Sequence, residues 1–315
     1  MRARQLLRFV ALLAFLSGCG SDRIKRALAP DVNRDPVWSS DSATIASKPE
    51  VLYRVLETSN GHEAVPIALV GSRGFREFLL SNRGWRAFDL ENLHVGHTLV
   101  QYRDGRALGD IPLKRGMWGA GGPPLDSVAG CNVLLPSGLV DVATGVRLLT
   151  TRKRPPLKPS LTLSEGELQA ALSKVPTLIA PIKGIPLSLL PRYTRTVHLI
   201  DNGSGGKPTI VLMYDDPEVV SDTVAIQNER PRQLVLFLDN GVYGYRTSFS
   251  YVTVGTRKAL PRLRWLDFLD VDDDGKAEAL FGISLPEFPL YTQVIRKRGE
   301  DWAEGARYNH RRCTG

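Results

Sequence analysis

The chain of 315 residues has 43% apolar and 23% charged residues and a formal net charge of +8. That apolar share can bury a sizeable core, which excludes an intrinsically disordered chain, and the length suits one large or two smaller domains. Arg2, Arg4 and Arg8 lie in the first 18 residues without any acid, so loss of that segment lowers the charge from +8 to +5. So modest an excess does not favour nucleic-acid binding, and anionic lipid head groups are the better electrostatic partner.

Residues 1–18 predict a signal peptide, in which a basic start precedes an apolar run at 9–16. The run is too short to cross a hydrocarbon core roughly 30 Å thick. The next residues, Leu16-Ser17-Gly18-Cys19, resemble the bacterial lipobox. The resemblance implies a lipoprotein, cleaved before Cys19 and acylated there, with an ordinary secretory signal as the alternative. Because residue 20 is Gly and not Asp, the resemblance favours the outer membrane, with the protein facing the periplasm.

Residues 19–48 mix charged residues, Pro and Ser without an apolar period, and we predict a flexible tether that follows the lipidated Cys19. Residues 49–150 predict a β-rich N-terminal half. Its predicted strands are 51–56, 65–70, 99–102 and 106–111, and Asp104-Gly105 is a typical hairpin turn between the last two. A short helix is predicted over 72–82.

Residues 151–192 predict a proline-rich linker with one helix. Ser164-Glu165-Gly166-Glu167 is a capping box, and apolar residues follow it at helical spacing. Pro176 is expected to stop this helix.

Residues 193–315 predict a β-rich C-terminal half, with strands at 209–214, 233–238, 245–254 and 263–269 and a last strand at 291–296. Asp239-Asn240-Gly241 is expected to form a hairpin turn. Together the two halves indicate a mainly-β fold of antiparallel strands with one or two short helices.

The run from Asp270 to Glu278, Asp-Val-Asp-Asp-Asp-Gly-Lys-Ala-Glu, places carboxylates at its first, third, fifth and ninth positions. Ca²⁺ takes six to eight oxygen ligands, and a short loop can supply them when alternate side chains point inward around a sharp glycine turn. We predict a structural Ca²⁺ site whose ligands are Asp270, Asp272, Asp274 and Glu278, with the Lys276 carbonyl. The alternatives are a plain acidic turn and, less favoured, a catalytic ion.

An EF-hand would need Glu at position twelve of the loop, where this chain has Phe281. Short apolar runs flank the acidic stretch, which favours strands on both sides. The stretch 268–282 resembles the FG-GAP/VCBS repeat, a calcium-loop β-hairpin. That resemblance implies a structural ion and a partial or irregular β-propeller.

A second stretch, 198–212, aligns with the acidic one, so that Asp201 falls on Asp270 and Gly206 on Gly275. Gly203, Gly205 and Thr209 stand where the acidic copy has carboxylates. This pattern predicts a degenerate repeat whose turn is held by glycine conformation and not by metal, or else an ordinary hairpin turn.

Once Cys19 is lipidated, Cys131 and Cys313 remain as an even pair in an oxidising compartment. Such a pair predicts a disulfide, with two free thiols as the alternative.

The usual catalytic motifs are missing from the sequence: there is no His-Glu-x-x-His, Gly-x-Ser-x-Gly or phosphate-binding loop. We therefore expect no enzyme. We predict a membrane-anchored interaction module with a protein or glycan partner in the envelope, of which an immunity-type inhibitor of an envelope-targeting toxin is a concrete version. The alternative is an envelope hydrolase acting on lipid or glycan.

Overall fold

A computed structural model describes residues 50–58, 61–71, 74–76, 88, 90–116, 130–134, 137–217, 230–255, 261–285, 288–309 and 311–314. The predicted signal peptide, Cys19 and the tether lie outside these residues. No helix within the described ranges combines the length and the apolar character needed to cross a membrane.

Antiparallel strands make up most of the described chain. The N-terminal part contains β1 (Glu50–Thr58), β2 (Gly61–Gly71), β3 (Gly74–Arg76), β4 (Thr98–Arg103), β5 (Arg106–Pro112), β6 (Arg115–Gly116), β7 (Gly130–Leu134), β8 (Gly138–Val140) and β9 (Leu148–Thr150). The C-terminal part contains β10 (Thr194–Ile200), β11 (Thr209–Asp215), β12 (Arg230–Gly241), β13 (Gly244–Gly255), β14 (Arg262–Leu269), β15 (Glu278–Leu285), β16 (Phe288–Arg298), β17 (Asp301–Asn309) and β18 (Arg311–Thr314).

These strands form three main sheets. The first sheet has the order β5-β4-β9-β1-β2-β8-β6, with β3 on β2. The second is the meander β10-β11-β12-β13, and the third is the meander β14-β15-β16-β17. The expected mainly-β, antiparallel fold is confirmed, and two consecutive four-stranded meanders are the arrangement expected of propeller blades. The propeller itself stays a prediction.

The third sheet lies between the other two, and β15 shows why. Leu280 packs in a core with residues of the first sheet, such as Leu52 and Tyr102. Its neighbours Ala279 and Phe281 pack in a second core with residues of the second sheet. Side chains alternate across a strand, so a strand that is apolar on both faces has to be covered on both sides.

The capping box is confirmed at the start of the long helix, Glu165–Ile182, where the Ser164 hydroxyl accepts from the Glu167 N–H at 3.3 Å. The helix does not stop at Pro176, as expected from the sequence, but continues six residues beyond it. A proline inside a helix costs about 3 kcal/mol through its lost hydrogen bond. Pro176 is itself buried. Its neighbours Leu172 and Val175 pack in a core shared with the second sheet, and this packing of the helix offsets the loss.

Three other local predictions are wrong. The helix predicted over 72–82 is contradicted at residues 74–76, which form strand β3. The strand predicted at 291–296 is not the last, because β17 and β18 follow it. The hairpin between β12 and β13 turns at Val242 and Tyr243, after Asp239-Asn240-Gly241. Asp239 is drawn into the strand because its buried carboxylate accepts hydrogen bonds from Thr209 and from the Trp302 indole.

The pairing of β7 with β18 joins distant parts of the chain. Arg312 lies opposite Val133 and Thr314 opposite Gly130, with a shift of register between them. The backbone therefore places Cys313 beside the part of β7 that contains Cys131. The disulfide stays a prediction, and the register supports it.

Candidate metal centre

The acidic loop (residues 270–277) connects β14 to β15 and is anchored at both ends. Val271 and Ala277 are fully buried, one in the core facing the first sheet and the other in the core facing the second. Asp273 and Gly275 have φ angles of 60° and 81°, in the left-handed region that allows so tight a turn. Both ends of the loop are thus fixed, and the residues between them curl around a small space.

Three carboxylates meet in that space. One oxygen each of Asp270, Asp272 and Glu278 lies within 4.8 Å of the others. Asp270 is 5% exposed and Glu278 is 2% exposed, so the carboxylates are crowded in a poorly solvated place. Burial raises the pKa of Glu278 to about 8, and the charges of the neighbouring aspartates add to the rise.

Backbone amides orient two of these carboxylates. Asp270 accepts from the N–H of Asp274 at 3.1 Å and of Gly275 at 2.9 Å, and Glu278 accepts from the N–H of Val271 at 2.8 Å. Asp272 differs, because its Oδ1 is buried and has no hydrogen-bond partner within the described part of the chain. A buried carboxylate oxygen without a donor is costly, and a cation would satisfy it. The donor set is oxygen only, as Ca²⁺ prefers.

The structure brings together three of the four predicted side-chain ligands. Asp274 is not among the three clustered acids, since its Oδ1 accepts from the Lys276 N–H at 2.8 Å and its side chain is 47% exposed. The Lys276 carbonyl stays a predicted ligand.

Asp273, which was not predicted as a ligand, is used elsewhere. It forms ion pairs with Arg152 and with Arg154, the latter at 2.6 Å. Burial alone would raise the pKa of Asp273, but the two guanidinium groups outweigh it and hold that pKa below its usual value. The same arginines pair with Glu50 on β1, where Arg154 Nε donates to Glu50 Oε1 at 2.9 Å. The acidic loop is therefore tied to the first sheet.

These arginines belong to the basic segment (residues 151–163), which the sequence predicts as a linker. In the structure it contacts both the acidic loop and the loop at residues 201–208. Past the arginines, the Ser160 N–H donates to Asp201 Oδ1 at 3.0 Å, and the Leu161 N–H donates to the Gly206 carbonyl at 2.8 Å. Sequence reasoning missed this role because clustered arginines and prolines are equally typical of exposed linkers.

The upstream loop (residues 201–208) occupies the same place in the second sheet as the acidic loop does in the third. Each joins the first two strands of its meander and each has eight residues. The upstream loop is held by hydrogen bonds: Asn202 Oδ1 accepts from the Ser204 N–H at 3.1 Å, and Asn202 Nδ2 donates to Thr209 Oγ1 at 3.1 Å. Thr209 stands where the acidic loop has Glu278, and its hydroxyl bonds the Asn202 amide. The degenerate repeat stays a prediction, which the shared position and length of the two loops support.

The two loops touch each other through a glycine. Gly203 has a φ angle of 79°, and a Cβ there would overlap the Gly275 carbonyl oxygen. Only a residue without a side chain allows so close an approach. The glycine thus lets one hairpin loop brace the other.

No protein-family model, curated protein sequence or solved structure matches this chain. The assignment of the site therefore depends on its own geometry.

A cavity of about 490 Å³ opens beside the acidic loop. One wall comes from the basic segment and the other from the two loops. Its lining residues are Arg152, Lys153, Pro155, Pro156, Leu157, Lys158, Gly203, Asp270, Asp273 and Gly275. Asp270 therefore belongs both to the carboxylate cluster and to the wall of a cavity large enough for a small ligand.

Proposed function

We propose that this chain is a calcium-stabilised binding module of the bacterial envelope, anchored through a lipid at Cys19 and facing the periplasm. The observation that carries the calcium part is the buried Asp272 Oδ1, which has no donor among the described residues and faces two other carboxylates. Calcium would offset two of the negative charges of the three acids and stabilise the turn between β14 and β15. Asp270, Asp272 and Glu278 would hold the ion, together with the predicted Asp274 side chain and Lys276 carbonyl.

The role of the ion is structural in this proposal. The acids come from one hairpin, and amides of the same hairpin fix Asp270 and Glu278 in place. A catalytic metal site instead keeps a position open for a reacting group beside a general acid or base. Binding, and not turnover, is therefore the activity we assign, with a protein or glycan of the envelope as partner. A lipoprotein that inhibits an envelope-targeting toxin is the concrete version.

Calorimetry and melting curves test the ion site. We expect CaCl₂ to bind with measurable heat and to stabilise the protein by about 2.7 kcal/mol when the ion is at a hundred times its Kd. Asp272→Ala should lower the melting temperature in calcium and should not lower it in EDTA, where the variant also relieves the crowding of the three acids. Asp110→Ala, at an exposed position on β5, is the control and should bind calcium normally. An equal fall for Asp272→Ala in EDTA would reject the ligand assignment.

The anchor has an independent test. Cells grown with labelled palmitate should label the wild-type protein and leave Cys19→Ser unlabelled, because the lipobox cysteine is the acyl acceptor. The variant should also be released from washed membranes. If Cys19→Ser were still labelled, the lipid would be attached at another residue and the proposed anchor at Cys19 would be wrong.

A further inference from the structure

We propose that the cavity beside the acidic loop binds a small ligand carrying a carboxylate or phosphate group, and that it does so when calcium occupies the loop. This inference rests on the calcium site proposed above and deepens it by giving the bound ligand a chemical class. The cavity's volume of about 490 Å³ lies within the usual range of small-ligand sites.

Two lysines supply the positive charge. Lys153 and Lys158 line the cavity, both are exposed, and neither has an ion-pair partner within the part of the chain that the structure describes. The Lys158 side chain lies over Gly205 of the upstream loop, close to where a Cβ would stand. Two ammonium groups at the wall of one cavity are suited to an oxyanion.

The two arginines near the cavity and the acid Asp273 in its wall already form ion pairs with each other. Arg152 and Arg154 pair with Asp273 and Glu50, so these charges largely cancel. Pro155, Pro156 and Leu157 give the same wall an apolar stretch between the charged groups. The ligand best suited to this wall has an anionic group and a compact body, as an acidic or phosphorylated sugar has.

Asp270 makes the site depend on calcium. Its carboxylate lies in the cavity wall and also in the cluster with Asp272 and Glu278. Without an ion, the negative charge of these acids opposes an anion that approaches the two lysines. A divalent cation in the cluster would offset two of these negative charges and so weaken the repulsion of the anion. Calcium should therefore strengthen anion binding.

The test is titration calorimetry of the full-length protein with glucuronate, with glucose 6-phosphate and with neutral glucose. We expect one or both charged sugars to bind in calcium and glucose not to bind. Binding of glucuronate alone assigns a carboxylate, and binding of glucose 6-phosphate alone assigns a phosphate. Replacing calcium by EDTA should weaken the binding by about tenfold, a typical coupling between two sites.

The double variant Lys153→Ala/Lys158→Ala should lose the charged sugars and still bind calcium. Lys114→Ala/Lys174→Ala, which removes the same charge from exposed positions elsewhere, should bind them normally. Calcium binding without sugar binding overturns this inference and leaves the calcium site standing. An affinity for the charged sugars that is undiminished in EDTA or in Lys153→Ala/Lys158→Ala also overturns it. Absence of calcium binding instead overturns the calcium site of the proposed function.

Discussion

Asp267 offers a sharp test of how the first and third sheets are joined. Its carboxylate is 2% exposed, and its Oδ1 accepts from the N–H of Gly105 at 3.0 Å and of Phe268 at 2.8 Å. Gly105 lies at the tip of the β4–β5 hairpin, so this one side chain fastens the hairpin to β14. We predict that Asp267→Asn keeps the hydrogen bonds from Gly105 and Phe268 and makes the protein more stable at alkaline pH.

The magnitude follows from the pKa of the carboxyl group. Burial raises the pKa of Asp267 from 3.8 to about 7, against the hydrogen bonds from Phe268 and Gly105. The folded protein then holds a proton that the unfolded chain releases, so the free energy of unfolding falls as the pH rises from about 4 to about 7. At about 1.4 kcal/mol per pH unit, the loss is at most about 4 kcal/mol above that window.

An amide has no ionised form and escapes this loss. Its oxygen can still accept from the backbone N–H groups of Gly105 and Phe268. Its NH₂ group cannot accept the hydrogen bond that the Asp104 backbone donates to the carboxylate, and the loss of that bond costs about 1 kcal/mol. The net expected gain for Asp267→Asn is about 3 kcal/mol at about pH 8, shrinking towards zero or below at about pH 4.

Urea unfolding of both proteins across this pH range measures the effect, and the difference between them cancels the other titrating groups. Asp110→Asn, at an exposed site, is the matched control and should show no pH-dependent difference. A stability difference between Asp267→Asn and wild type that stays constant with pH would refute the reasoning.

Two further predictions concern the loops and the cysteines. Gly203→Ala should destabilise the protein by more than about 2 kcal/mol, because its methyl group would meet the Gly275 carbonyl. Gly299→Ala, at a similar φ but with open space around it, is the control and should cost about 1 kcal/mol. Thermal melts compare the two variants, and equal losses of stability would contradict the loop contact. Peptide mapping without reductant should find Cys131 joined to Cys313, and Cys313→Ser should cost about 2–5 kcal/mol; recovery of both cysteines as alkylated thiols would show that the pair is not bonded.

The sequence predicted most strands because alternating and apolar runs are local signals. The strand predicted at 263–269 agrees with β14 (Arg262–Leu269), and the acidic loop lies between two strands as expected. The carboxylate cluster was predictable for the same reason, since the acids come from one short hairpin.

Features that depend on distant residues could not be predicted. No local pattern indicates that Arg154 lies against Glu50 and Asp273, since the three residues come together only in the folded chain. The prediction that Pro176 ends the helix was wrong, because the helix is also stabilised by Leu172 and Val175, which pack in a core shared with the second sheet. The strand β17 was missed because Asp301 and Glu304 interrupt its apolar residues, although Trp302 between them is buried.

The pairing of β7 with β18 has a consequence for biosynthesis. Within the described residues, Gly130–Leu134 pairs with Arg311–Thr314, so this two-stranded sheet cannot form until residues 311–314 have been translated. The eight-stranded sheet needs no such delay, because all of its strands come from the N-terminal part, so the pairing of β7 is the step that follows synthesis of the C-terminal part.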